Sequence, residues 1–466
     1  MKKTAPCFLL VALLCVSAFA QNASKDKDAL SGTFLKGKHV KYSRIAPGGP
    51  HAAKKNMPNA ASLSLNAPNS TCPAESTKLA CVDSITNFLG YFSAPGIYLN
   101  GKPRSAWEYS MVGTAPNTNK TTTFNAPVVP VTISMLNADG TPRFVVTDSS
   151  NCPNCKPSQL GKKVRLLSSP QAFIKPFLAG PEYGKADYTS SNVPTQFVDA
   201  VQRAEFGNRA LPNWHTLLAP SLKKTLTMAL IEGTYFFSLN DDGSCCRYVL
   251  VSDTIFSGEL FPPSSPDTST VVGTAEVTGD ITTKDISTFF FPNVYLYSNN
   301  NPNDCCVLGF HSFDFEAGNA SNGNRTRFYV MNYSSWISPG LFASPTCATT
   351  DPENCFQDVT AHSHETAEIF NDPFVGYDNV HNITPFWQNP AGQCQDIMEV
   401  GDVIEDLPNP TFPVTIGGVK YHPQTEALLP WFAFKSPSFA INNAYSYPNE
   451  TALTELSAQQ PFNCGQ

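Results

Sequence analysis

From Thr225 to Tyr333 the chain is a succession of apolar runs broken by turn residues, and this limits what it can fold into. The runs are Thr225–Leu239, Arg247–Ser252, Val271–Val277, Thr288–Tyr297, Val307–Phe315 and Arg327–Tyr333. Several are rich in Phe, Tyr, Val and Ile, which favour strands. Asn240-Asp241-Asp242-Gly243 and Asn299-Asn300-Asn301-Pro302 are turn sequences between them. Upstream, Val128–Leu136, the turn Asn137-Ala138-Asp139-Gly140 and Phe144-Val145-Val146 predict a hairpin. Helical periodicity is confined to Thr77–Phe92, residues 194–206 and Asp358–Asn371. The expected fold class is therefore α+β, with a large mixed or antiparallel sheet and few helices.

Residues 1–20 have the form of a secretory signal. Lys2 and Lys3 precede an apolar run, Phe8–Val16, and Ala18-Phe19-Ala20 is a small-x-small cleavage site. Residues 21–70 lack pattern and read as a disordered arm or pro-segment. The expected organisation continues with a β-rich region over 71–190 and an α+β domain with C-terminal loops over 191–466. The expected location is secreted, or periplasmic in a Gram-negative bacterium.

Two of the 14 cysteines, Cys7 and Cys15, fall in the signal, and an even number remains. In an exported chain that predicts a disulfide-rich fold. Cys72–Cys81, Cys152–Cys155 and Cys347–Cys355 are the easiest pairs. The doublets Cys245-Cys246 and Cys305-Cys306 are expected to join each other or third segments, because vicinal bridges are strained. Sequons occur at Asn22, Asn69, Asn119, Asn319, Asn324, Asn332, Asn382 and Asn449, and predict a glycoprotein in a eukaryotic secretory route. The formal net charge of −7 argues against nucleic acid or an anionic membrane as partner. No stretch is apolar for long enough to span a bilayer.

The chemistry concentrates in Ala361-His362-Ser363-His364-Glu365-Thr366-Ala367-Glu368. This contains H-E-x-x-E, one residue away from the H-E-x-x-H of zinc peptidases. On a helix over 358–371, capped by Asp358 and stopped before Pro373, Glu368 lies about 40° from His364 and Glu365 about 100°. His362 falls about 160° away and is no partner for His364. His364 and Glu368, at i and i+4, can reach one ion. Glu365 beside them can take a proton from metal-bound water. A third ligand is expected from Met398-Glu399-Val400-Gly401-Asp402, as Glu399 or Asp402, with His381 as competitor. Such a set fits a divalent metal, zinc first, with manganese or calcium as harder alternatives.

H-E-x-x-E, then Asp372-Pro373, an aromatic-rich gap, and Glu399-Val400-Gly401-Asp402 together resemble a stretch of exordium-like (phosphate-induced) secreted proteins. The order of strand, loop and helix also resembles the active-site layout of zincin metallopeptidases. The resemblance covers residues 361–402. It implies a zincin-like helix with His364 and Glu368 as ligands, Glu365 as base, and Glu399 or Asp402 as third ligand. It departs from zincins at Glu368, where they carry histidine.

The function expected is metal-dependent hydrolysis, with a peptide or protein as substrate. The rival is a non-catalytic secreted binding or cell-envelope protein on the same scaffold. Other residues have plainer readings. Trp214-His215 and Gly309-Phe310-His311 read first as core or edge histidines. Trp387 and Trp431 lie in loop-like segments and could stack on sugar or peptide.

Overall fold

The computed structural model describes residues 81–456, apart from 93–95, 98–102, 105–106, 189–192, 264–266, 343–354 and 376–382. Its centre is an eight-stranded sheet. The long strand Thr121–Leu136 is paired in parallel with Ile286–Phe290, His215–Leu222 and Leu226–Ile231. Ile286–Phe290 is paired in parallel with Thr326–Ser334. Antiparallel pairing enters where Gly309–Glu316 runs back along Thr326–Ser334.

The expectation of a mixed sheet with few helices holds, but the central strand pairings are mostly parallel. Parallel strands are covered on both faces, so their residues read as continuous apolar runs. Ile286–Phe290 is buried at every position. A smaller sheet joins Tyr235–Leu239, Cys245–Ser252, Val294–Tyr297 and Cys305–Val307. The central sheet takes strands from both sides of residue 190.

Alternation along the antiparallel pair sorts its side chains between two cores. Phe313, Phe315, Phe328 and Val330 join one cluster with Ala367, Ile369 and Phe370 of the helix Thr360–Asn371. Phe310, Tyr329, Met331 and Tyr333 join a second cluster on the other face. The helix thus lies across the strands Gly309–Glu316 and Thr326–Ser334, and every one of its residues is buried.

Several sequence expectations are corrected. The described part of Thr77–Phe92 forms strands, Val82–Asp83 and Asn87–Phe92, because Val82, Ile85, Phe88 and Phe92 reach the core equally well from extended chain. Val271–Thr278 is a helix, not a strand. The Thr270 hydroxyl accepts from the Gly273 amide at its start, and Gly279 ends it with φ of 72°. The expected hairpin turn closes with an antiparallel bridge between Leu136 and Pro142, but Phe144–Val146 then pairs with Lys163–Arg165. Asp358 does not cap the site helix, since its carboxylate faces His422, with Oδ2 2.6 Å from Nδ1.

Cys152 pairs with Cys155. Each doublet closes on itself, Cys245 with Cys246 and Cys305 with Cys306, rather than on another segment. Trp387 and Trp431 are fully buried and meet edge to face at 5.6 Å, so they are core and not a stacking platform. Asn332 is also fully buried and donates to Thr366 Oγ1, which leaves its sequon inaccessible. His381 and Asn382 lie outside the described residues. No helix of the described residues is long and apolar enough to cross a membrane.

Candidate metal centre

The site helix presents His364, Glu365 and Glu368 to one interior spot. Two further elements converge on it. The strand Gly309–Glu316 delivers His311, the short helix Asp402–Glu405 delivers Asp402 at its start, and the segment just before it delivers Glu399. All six side chains are at most 1 % exposed except His311, which is 3 % exposed as a whole residue with a fully buried side chain.

Glu368 stands in the middle. Its Oε1 lies 3.0 Å from His364 Nε2, which is 3.6 Å from Asp402 Oδ1. Its Oε2 lies 3.2 Å from His311 Nδ1. The same His311 nitrogen is 3.6 Å from Glu365 Oε2 and 3.8 Å from Glu399 Oε2. His364, Glu368 and Asp402 therefore form one group able to hold a metal ion, and His311, Glu365 and Glu368 form another.

Two glycines make the approach possible. A β-carbon at Gly401 would overlap the His364 ring, and one at Gly309 would stand 2.7 Å from Glu365 Cγ. The Gly401 amide also donates to Glu368 Oε1 at 3.2 Å. The outer oxygen of Asp402, Oδ2, accepts from Gln393 Nε2 at 3.1 Å and from Gln395 Nε2. This turns Oδ1 toward His364. Such outer partners fix the orientation of metal ligands. From the helix N-terminal side, Gln424 binds Ser363 Oγ through its amide and Gly401 through its side chain.

The electrostatics demand positive charge. Burial pushes the Glu365 carboxyl up to about 7, against the pull of His364 and His311. Burial also drives Glu399 well above the usual carboxylate range, with Glu368 adding to the rise. Glu368 moves the other way: burial opposes its ionisation, but His364 and His311 outweigh it. The two imidazoles are raised well above 6.5, because the surrounding carboxylates outweigh the cost of burying their charge. Glu426, fully buried nearby with no hydrogen bond to either carboxylate oxygen, is pushed well up by burial.

The residues expected from sequence, His364, Glu365, Glu368, Glu399 and Asp402, are all brought together here. His362 lies elsewhere, its ring centroid 4.5 Å from that of Phe177 and tilted to it, its Nε2 3.1 Å from Tyr183 OH, and burial lowers it to about 3. Sequence reading missed His311 as a member of the site. The signal for it is the alternation Gly309-x-His311-x-Phe313-x-Phe315, which puts His311 on the same face as two core phenylalanines. His215 is paired with buried Asp199, 2.8 Å from Nδ1 to Oδ2, and lines a separate cavity of about 620 Å³.

Comparison with protein-family models, curated proteins and solved structures finds no match for the chain.

Proposed function

We propose that the protein is an exported, divalent-metal-dependent hydrolase, with peptides as the substrate class. One observation carries the reading: four carboxylates and two imidazoles converge in the interior around Glu368. Buried carboxylates at this density are costly unless a cation neutralises them. His364 Nε2, Glu368 Oε1 and Asp402 Oδ1 would hold the ion, and their 3.0 and 3.6 Å separations match the edges of a polyhedron with bonds of about 2.1 Å. A bound divalent ion supplies a polarised carbonyl and a water made acidic near neutral pH. Glu365, next in the helix, is the proton acceptor, and its carboxyl range near 7 suits that task. The basic start, apolar run and small-x-small site of residues 1–20 support export.

A second reading is favoured by burial. A hydrolytic centre needs a path for substrate, whereas closed ligand sets are typical of structural sites. The centre could then brace a non-catalytic secreted scaffold. Peptide hydrolysis and metal content, measured together on wild type and Glu365→Gln, separate the two. Metal-dependent turnover in wild type that is lost in Glu365→Gln, with the ion at His364 kept, supports the hydrolase. Bound metal without turnover on any peptide supports a metal-braced scaffold, and no bound metal overturns the hydrolase and leaves a metal-free scaffold.

A further inference from the structure

We infer that the centre holds two divalent cations, bridged by Glu368, with His311 as a ligand to the second. The inference rests on the metal reading above and extends it by a site that H-E-x-x-E does not contain. Glu368 directs its two oxygens to two different imidazoles, Oε1 to His364 Nε2 at 3.0 Å and Oε2 to His311 Nδ1 at 3.2 Å. A carboxylate placed this way spans two ions that stand about 3.5–4 Å apart in two-metal sites.

The His311 ring gives the independent observation. Its Nε2 lies 3.1 Å from the main-chain oxygen of Asp372. A carbonyl can only accept, so Nε2 carries the proton. In the neutral ring the Nδ1 lone pair then points among Glu365, Glu368 and Glu399. That nitrogen is fully buried, with carboxylate oxygens of Glu368, Glu365 and Glu399 as its polar neighbours. Three carboxylates around one ring nitrogen call for positive charge between them, a proton on Nδ1 in the empty centre and a metal ion in the loaded one. An imidazole with Nε2–H fixed on a backbone carbonyl is the arrangement that prepares Nδ1 to bind metal.

The ligand separations fit. From His311 Nδ1 the oxygens of Glu368 and Glu365 stand at 3.2 and 3.6 Å, again near the spacing of ligands about 2.1 Å from a shared ion, and Glu399 stands farther out on the same side at 3.8 Å. Glu399 and Asp402 thus serve different halves of the centre, Glu399 on the His311 side and Asp402 on the His364 side. Glu365 is then a ligand as well as the nearest acceptor for a proton. Two histidines against four carboxylates give a hard, oxygen-rich set, which suits manganese as well as zinc.

The test uses the full mature protein loaded with Mn²⁺, dialysed, and read by elemental analysis and electron paramagnetic resonance. Two Mn²⁺ per chain with an exchange-coupled spectrum are expected in wild type. His311→Ala should retain one, with the spectrum of an isolated ion, and Glu399→Gln should weaken only the second site, by tenfold or more. One ion per wild-type chain overturns the bridged pair while leaving the hydrolase reading intact. Two uncoupled ions, or a His311→Ala protein that still binds a coupled pair, also overturn it. A wild-type chain that binds none overturns both readings.

Discussion

His311 Nδ1 lies 3.2 Å from Glu368 Oε2, which ties a strand of the central sheet to the helix packed across it. The contact crosses the junction between the two elements, so the centre is part of the core and not an addition to its surface. Changes at its ligands, and at the residues that give them room, should therefore act on both metal affinity and stability.

Gly401 tests the steric side of this. A side chain there would displace the His364 ring. Gly401→Ala should cost about 1–3 kcal/mol and lower metal affinity by at least tenfold. Gly258→Ala is the control: no atom lies near the new methyl, and a helical glycine gains about 0.5–1 kcal/mol on becoming alanine. Denaturant unfolding and metal titration of the two variants check this.

Gln395 tests the outer shell. It and Gln393 hold Asp402 Oδ2, so Gln395→Ala should free the carboxylate to rotate and weaken metal binding about 10–100-fold. Competition against a chelator of known affinity reads the change. An unaltered affinity would mean that Asp402 is not a ligand.

His362 is adjacent in sequence to the centre but distant in role. It is buried and neutral, packed on Phe177, with Tyr183 OH, Ser334 Oγ and Thr366 Oγ1 around it. His362→Ala should cost about 2–4 kcal/mol in stability yet leave the metal content of the folded protein unchanged. Elemental analysis of the purified variant, with its unfolding curve, checks both halves.

Glu182 gives a pH signature from outside the six-residue cluster. Burial raises its carboxyl from 4.5 to about 8, and neither oxygen has a hydrogen-bond partner. A folded-state value above the unfolded one means that its contribution is fully present below about pH 4.5 and is lost as pH rises toward 8. Glu182→Gln should remove that slope, gaining up to ~4 kcal/mol over wild type at the alkaline end. Unfolding curves of both proteins from pH 5 to 8 test it, and parallel slopes would contradict it.

Much of this centre is legible in the sequence because helical spacing is a rigid rule. His364 and Glu368 share a face at i and i+4, and His362 cannot join them. The downstream Glu399 and Asp402 are legible as candidates, but choosing between them depends on how the chain turns at Gly401, where the close fit against His364 is a tertiary fact. His311 is harder to see. Strand alternation assigns it to a core face, but only the packing of the helix shows that this face meets the carboxylates. The same ambiguity explains the elements misread. Val271, Val272 and Val277 have strand composition, and the helix there depends on the Thr270 cap, the Gly279 stop and the burial of one face. The parallel order of the central sheet is set by crossovers that periodicity does not encode.

The most direct test is the thermal unfolding midpoint of the purified chain, with bound metal removed by a chelator and then with Zn²⁺ or Mn²⁺ restored. Binding to the folded state alone raises stability by about 2.7 kcal/mol at a hundredfold excess over the dissociation constant. A midpoint several degrees higher with metal, abolished in Glu368→Gln, is the result predicted. An identical midpoint with and without divalent metal, in a chain that purifies with none, would contradict the account.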